Sequence, residues 1–590
     1  MTRKIGIMVV FFLALVVMNM GCSSSRKFSK IKKKRPELIN GPRNLLPTRN
    51  FVDMTEDYGL SGVKGTSLYA VDFNGDGWTD LVTMPGYYSI PEFYEFDCLS
   101  RKFKKIVYSP FNQERRFFHL YFVDLDNDGI MDIIGSNLEQ KTELKNDPVT
   151  IYRGELLKKK IKYIEIKNAL SDRPPGPSSI ALVDFDLDGK LDLYLGNWYS
   201  YSGKKPEVLP DRLYKGDGFK FKNISAHLTG EYSKRIPRSR KYHMAKPTFG
   251  VSTCDMDQNG WPDILTVSSG GFANKMWINS RGKDGRRIYM DHGVDSMYSF
   301  DLDGRLMPQG GGNTFFSSCV DYNNDGYMDI FVGELTHHYD LESRDRSSML
   351  TGARKSLPLE FLRDEFILTS EDESWTRCDR RAVWMDYNVD GFVDFLVDNS
   401  GFPPSSRLIL FKQNNDHSYE DVSGPEGIDI VNPTGSVRID LNEDGLWDII
   451  TGQSNIRNNK IPNRLYVFEN RHKRNGKRSI RFFLHGKDAN RDGLGAMVIL
   501  KTKNKSMRQW VEYAKGPFQS QNEKGILFGL GKEDDPVFVK VRWPVVKSRR
   551  GGRAVVLSKV YSMALLDFEI HSDITLCESG SWHVGKTTCD

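Results

Sequence analysis

Short apolar runs punctuate a polar chain at nearly regular intervals. They are LVTM (81–84), IIGS (133–136), LYLGN (193–197), ILTVS (264–268), IFVGE (330–334), FLVDN (395–399) and IITGQ (449–453). Each is four or five residues long and rich in β-branched or aromatic side chains, which is the signature of a strand and too short for a helix. Small or apolar residues often precede the unit, as in FGVSTCD (249–255) and FFSSCVD (315–321). A strand–turn–strand pattern follows it, as in DRLYKGDGFKFKNIS (211–225) and SRLILFKQNNDHSYEDVS (406–423). About four strands per unit, repeated over residues 49–475, predict an all-β chain built from one supersecondary unit used many times.

A polar loop stands before every run. Asp124, Asp126, Asp128 and Asp132 occupy positions one, three, five and nine of VDLDNDGIMDIIG, with Gly129 at position six. The same spacing recurs at Asp72, Asn74, Asp76 and Asp80; at Asp184, Asp186, Asp188 and Asp192; and at Asp255, Asp257, Asn259 and Asp263. It returns at Asp321, Asn323, Asp325 and Asp329; at Asp386, Asn388, Asp390 and Asp394; and at Asp440, Asn442, Asp444 and Asp448. First residues lie 52, 60, 71, 66, 65 and 54 positions apart, too regular for chance Asx-turns. Alternate acidic residues closed by a glycine let a tight turn aim several oxygens at one point. Two carboxylates about 4 Å apart repel by roughly 4 kcal/mol at an effective dielectric near 20, a cost that a divalent cation removes. An all-oxygen set without Cys or His favours Ca²⁺ over Zn²⁺, at up to seven sites. Closure at position nine between strands, rather than by Glu at twelve between helices, argues against an EF-hand.

On these loops and runs the chain resembles the FG-GAP/VCBS repeats of integrin-type β-propellers. The resemblance implies a seven-bladed β-propeller, one blade per repeat, with calcium in the hairpin loop of each blade. The fourth loop departs most, since Asn259 and Pro262 make it less acidic and stiffer. Beyond the repeats, SIRFFLHGKDANRDGLGAMVILKT (479–502) imitates an eighth loop with Asp488, Asn490, Asp492 and Gly493, but Ala496 stands where the closing carboxylate belongs. The order N-R-D-G-L-G-A, Ser520-Gln521, Phe528-Gly529-Leu530-Gly531 and Trp543-Pro544 resembles the ASPIC/UnbV domain, which follows such repeats in proteins similar to cartilage acidic protein and its bacterial relatives. It is assigned to residues 478–545 as a small β-rich domain, with 546–590 as a tail.

Residues 1–22 read as a targeting segment, with Arg3 and Lys4 ahead of an apolar stretch too short to span a bilayer comfortably. Gly21-Cys22-Ser23 resembles a bacterial lipoprotein signal with Cys22 lipidated, although Asn19 replaces the preferred Leu. Residues 23–48, basic from Arg26 to Arg35, read as a flexible linker. The expected location is therefore the cell envelope or surface, by membrane anchoring or else by secretion. Six further cysteines permit disulfides in an exported chain. Cys577 and Cys589 can close a terminal loop, whereas Cys254 and Cys319 read as buried free thiols.

The net charge is +6, yet the loop positions hold 23 of the 77 acidic residues, so the rest of the surface is basic. No nucleic-acid motif accompanies that charge. The string GSWHVGKT (580–587) imitates a P-loop but leaves no room for the helix that would hold phosphate, so no nucleotide is expected. His337-His338 reads as a surface pair, and neither HExxH nor GxSxG occurs. These features favour an exported calcium-binding module for a protein or glycan partner, serving adhesion or scaffolding rather than catalysis. An extracellular polysaccharide or phosphate-ester lyase or hydrolase on the same fold is the first alternative, and an assembly factor for a secreted partner the second.

Overall fold

The computed structural model describes residues 49–589, except 139–147, 201–206, 232–246, 269–271, 300–312, 336–344, 367–377, 401–405, 551–552, 564–569 and the single positions 457, 518 and 533. The N-terminal segment with Cys22 and the pair His337-His338 lie outside the described residues. The fold is all-β and made of many small sheets. A single turn of α-helix, Ser423–Glu426, and a 3₁₀ turn, Ser225–His227, are the helices among the described residues. None there is long and apolar enough to cross a membrane.

Seven sheets carry the seven acidic loops, and each loop joins the first strand of its sheet to the second. The first strands are Ser67–Val71, His119–Val123, Ser179–Val183, Thr248–Cys254, Thr314–Val320, Asp379–Met385 and Pro433–Ile439. Sheet one shows the pattern: Ser67–Val71, Asp80–Met84, Glu92–Asp97 and Lys102–Lys105 run as an antiparallel meander. Sheet four adds a fifth strand, Leu228–Glu231, parallel to Arg287–Asp291. Sheet seven takes its outermost strand from the start of the described chain, where Phe51–Asp53 pairs antiparallel with Arg464–Asn470.

Burial explains the local sequence. The first two strands of sheet one are buried at every position, because sheets cover both of their faces. They therefore read as continuous apolar and small residues rather than as an alternation. The outermost strand Lys102–Lys105 buries only Phe103 between exposed lysines, as a half-covered strand does. Apolar clusters bridge neighbouring sheets in order. One joins Val82 and Phe93 of the first sheet to Phe122 and Ile133 of the second. Another joins Leu396 and Leu410 of the sixth to Ile449 and Phe468 of the seventh. The seventh and first are joined in turn by Val437, Ile450 and Val467 packing on Leu68, Leu81 and Phe96.

Cys254 and Cys319 are disulfide-bonded, which corrects the expectation of free thiols. Their first strands lie side by side in sheets four and five, so thiols that look remote in sequence face each other. Cys577 and Cys589 are also bonded.

Two further four-stranded sheets form a C-terminal module. One orders Ile526–Gly531, Arg478–His485, His571–Cys577 and Trp582–Val584; the other orders Ser506–Trp510, Met497–Thr502, Pro536–Arg550 and Arg553–Ser562. Residues 546–590, read from sequence as a tail, thus supply strands to both sheets. The parallel pairing of Arg478–His485 with His571–Cys577 ties the ends of the module together. Trp543 is fully buried in its core and donates to the Tyr561 hydroxyl.

Candidate metal loops and the module seated on them

All seven loops share one backbone. The residue at position four has a left-handed φ in each, between 51° at Val389 and 71° at Gly75. The glycine at position six has φ between 73° and 92°. A β-branched valine in that region is strained and persists only where surrounding bonds determine the loop. Those bonds come from the first and ninth carboxylates. Asp124 Oδ2 accepts from Gly129 N–H at 2.8 Å, and the equivalent bond recurs in every loop. Asp132 Oδ2 accepts from Leu125 N–H and its Oδ1 from Gly154 N–H, both at 2.8 Å. The ninth residue of the other six loops makes the same pair of bonds, one inside the loop and one to the third strand. Position nine therefore has a structural duty beyond ligation, which spacing alone did not reveal.

The donor sets suit a hard cation. Three carboxylates offer oxygens within 4.8 Å of one another in Asp124, Asp126 and Asp132; in Asp184, Asp186 and Asp192; and in Asp255, Asp257 and Asp263. The fourth loop, expected to fit least, is among them. In the first, fifth, sixth and seventh loops position three is Asn, which offers a neutral carbonyl instead. Burial drives the carboxyl of Asp124 up to about 6 and that of Asp132 up to about 8. Asp255, Asp321 and Asp440 rise for the same reason to about 7. At these groups burial outweighs the neighbouring positive charge, and Asp255 Oδ1 is buried with no hydrogen-bond partner. The residues present therefore fit Ca²⁺.

Two loops hold tethered cations on their own sheet. Lys215 Nζ lies 2.5 Å from Asp186 Oδ1 and 2.6 Å from Asp188 Oδ2. Arg153 lies 3.4 Å from both Asp126 and Asp128 at the matching place in the second sheet.

The C-terminal module sits on these loops. Arg542 Nη1 is 3.1 Å from Asp255 Oδ2, Arg508 Nε is 2.7 Å from Asp321 Oδ2, and Arg481 Nη1 is 3.2 Å from Asp440 Oδ2. Arg491 lies 3.9 Å from Asp124 and its backbone N–H donates to Asn127 Oδ1 at 2.8 Å. Lys477 Nζ donates to the Asn388 carbonyl at 3.1 Å in the sixth loop, and the Asp488 carbonyl abuts Gly189 in the third. The turn that imitates an eighth loop is thus the part of the module that covers loops two and three.

A segment of the module, residues 511–524, reaches the first strands of the sheets themselves. Gln521 accepts from Phe122 N–H at 3.0 Å and donates to its carbonyl at 2.9 Å, reproducing a strand partner with a side-chain amide. Its backbone pairs with Leu68 and Ala70. Ser520 Oγ accepts from Leu68 N–H, Gln519 bonds both polar groups of Ile180, and Gly516 N–H donates to Val251. Glu512 accepts from Thr253, Asn522 from Arg438 N–H, and Glu523 from Asp440 N–H. The Ser-Gln pair and the Phe-Gly-Leu-Gly run, noticed in the sequence only as motifs, are docking elements; Gly529 of that run packs on Asp386 and Val389.

One constellation imitates a hydrolase. Ser479 Oγ lies 2.8 Å from His571 Nδ1, and His571 Nε2 lies 3.0 Å from Asp573 Oδ1. Ser479 is fully buried against the Gly445 carbonyl, and Arg481 holds both Asp573 oxygens at 2.8 Å. No substrate can reach that serine, and the three residues serve to seat the module on loop seven. The string 580–587 forms the terminal strand Trp582–Val584 without a helix after it, and Lys586 pairs with Glu443 at 3.1 Å.

Comparison with known proteins places the module in a family: residues 486–561 match the model described as ASPIC and UnbV. Human cartilage acidic protein 1 is 27% identical over 156 residues, which cover 26% of this chain and only 19% of that protein. Among solved structures, a GH43 β-1,3-galactosidase with galactodeoxynojirimycin overlaps 52% of this chain and 95% of its own, at 9% identity and a TM-score of 0.30. The V. cholerae biofilm matrix protein Bap1 overlaps 84% of this chain and 66% of its own, at 11% identity and a TM-score of 0.30. Overlaps this loose decide nothing about the chemistry of this chain.

Proposed function

We propose that the chain is an exported, calcium-stabilised, seven-bladed β-propeller of FG-GAP/VCBS type, whose ASPIC/UnbV module caps its metal face, and that it works as a binding scaffold for an extracellular protein or glycan. The observation that carries this reading is the sevenfold repetition of one loop backbone with one bonding pattern. A catalytic metal requires one special site, whereas a structural metal suits every repeat. The outer strand that Phe51–Asp53 lends to the last sheet is the closure expected of a ring, which leaves no long sheet edge exposed. In each loop the residues at positions one, three, five and nine hold the ion, which supplies charge neutralisation and turn rigidity. Anchoring is assigned to Cys22, so that the scaffold is displayed at the envelope surface.

Calcium content and thermal melting test the metal reading. Ligand binding stabilises by about 2.7 kcal/mol per site at a hundredfold excess over Kd. Chelator should therefore lower the melting temperature, and Ca²⁺ should restore it better than Mg²⁺, whose strict octahedral geometry fits these loops poorly. Melting indifferent to chelator in a protein without calcium would return the loops to plain acidic turns. A glycan array run beside an activity screen on acidic polysaccharides tests the binding role, and turnover there would favour the enzyme instead.

A further inference from the structure

The seven loops are not equally covered. In six loops the C-terminal module lies against the glycine at position six. A methyl group built there would meet Arg491 at 2.7 Å on Gly129, Val556 at 3.0 Å on Gly260, Arg508 at 2.7 Å on Gly326 and Lys505 at 2.8 Å on Gly391. Asp488 and His571 stand closer still to Gly189 and Gly445. On Gly77 of the first loop it would meet nothing within 4 Å.

The first carboxylates follow the same division, while at position five Asp128, Asp188 and Asp325 are exposed as Asp76 is. The first aspartates of loops two to seven are at most 7% exposed. Asp72 is only half-buried, and its hydrogen bonds come from the N–H groups of Gly75, Asp76 and Gly77 in its own loop. Among the described residues no cation of the module approaches it.

We propose that the C-terminal module is a cap that holds the metal in loops two to seven and leaves the first loop, Asp72–Asp80, as the site that exchanges with solvent. The inference rests on the calcium reading above. In loops two to seven module atoms lie against the first carboxylate or the position-six glycine, so an ion held there is restrained by the module as well as by its own loop. Segment 511–524 fixes the module on the first strands of the sheets, so lifting it from one loop strains its bonds to the others. Release from the covered loops then requires a sub-global opening, while release from the first requires none.

The test is stopped-flow release from the full-length, calcium-loaded chain into excess of a fluorescent chelator, with total calcium measured in parallel. One equivalent should leave in a fast phase, and the remainder at least about a hundredfold more slowly, the factor set by an opening free energy of about 2.7 kcal/mol. Asp76→Asn should abolish the fast phase and spare the slow one. Gln519→Ala with Gln521→Ala, which loosens the segment, should accelerate the slow phase and leave the fast one in place. A protein without bound calcium overturns the metal reading and this inference with it. Bound calcium that leaves in a single phase, or a fast phase that survives Asp76→Asn, overturns the cap alone.

Discussion

Asp132→Ala separates the two duties of the ninth position. Its carboxylate is buried and accepts from two backbone N–H groups, Leu125 and Gly154, each at 2.8 Å. Truncation leaves both donors buried without a partner, and each orphan costs about 1–3 kcal/mol, together about 2–6 kcal/mol. That loss does not depend on an ion, so it persists in chelator. Asp128→Ala is the control. Asp128 is exposed and its Oδ1 accepts a single bond, from Ile130 N–H at 2.9 Å, so in chelator its loss costs at most about 1 kcal/mol. In calcium both variants lose the ion from loop two and converge toward larger effects. At a specific unfolding entropy near 2 cal/mol/K per residue, a chain of 590 residues shifts its melting point by about 1 °C per kcal/mol. The expected displacement for Asp132→Ala in chelator is then about 2–5 °C, against about 1 °C for Asp128→Ala. Scanning calorimetry of both proteins with and without chelator reads the difference. Equal melting of the two variants in chelator would refute the structural role and leave position nine a ligand only.

Breaking the bond between Cys254 and Cys319 with Cys254→Ser and Cys319→Ser should destabilise the fold by about 4 kcal/mol, the chain-entropy value for a sequence separation of 65 residues, visible as a lower denaturant midpoint. Mass spectrometry of an unreduced digest should find the two peptides linked, and separate peptides with free thiols would contradict the pairing. Lys215→Met removes the ammonium that competes for Asp186 and Asp188, so an equilibrium titration should show tighter calcium binding at loop three; unchanged affinity would mean that lysine and metal do not compete. Cys22→Ser should shift the protein from the membrane fraction to the soluble one, and wild-type protein that carries no lipid would end the anchoring proposal.

The strands and loops were legible because both rest on local physics. An apolar run of four or five residues is a strand wherever it is buried, and alternate acids before a glycine make one turn regardless of what surrounds them. The pairing of Cys254 with Cys319 is not legible, because equivalent places in neighbouring repeats do not say whether two thiols face each other; that depends on how closely two strands 65 residues apart lie side by side. The extent of the module was misread for a similar reason: nothing near residue 550 announces that His571–Cys577 returns to pair in parallel with Arg478–His485.

The seating of the module on the acidic loops left only a faint trace in the sequence. The surplus of basic residues outside the loops does not say which groups it faces, and Arg491, Arg508 and Arg542 place their charge on the loops of their own chain. Glycine at position six carried the stronger clue and was read for one reason only. Its left-handed φ demands glycine in all seven loops. At Gly189 and Gly445 the approach of the Asp488 carbonyl and the His571 ring demands it a second time, whereas at Gly129, Gly326 and Gly391 the neighbour is the movable end of an arginine or lysine and at Gly77 there is none. Substitution by alanine at Gly77 meets the backbone cost alone, whereas at Gly189 it must also displace the Asp488 carbonyl, a backbone group of the module. Two demands on one residue type cannot be separated within a single sequence, since both are met by the same letter. They separate in measurement, because Gly189→Ala should weaken the docking of the module and Gly77→Ala should not.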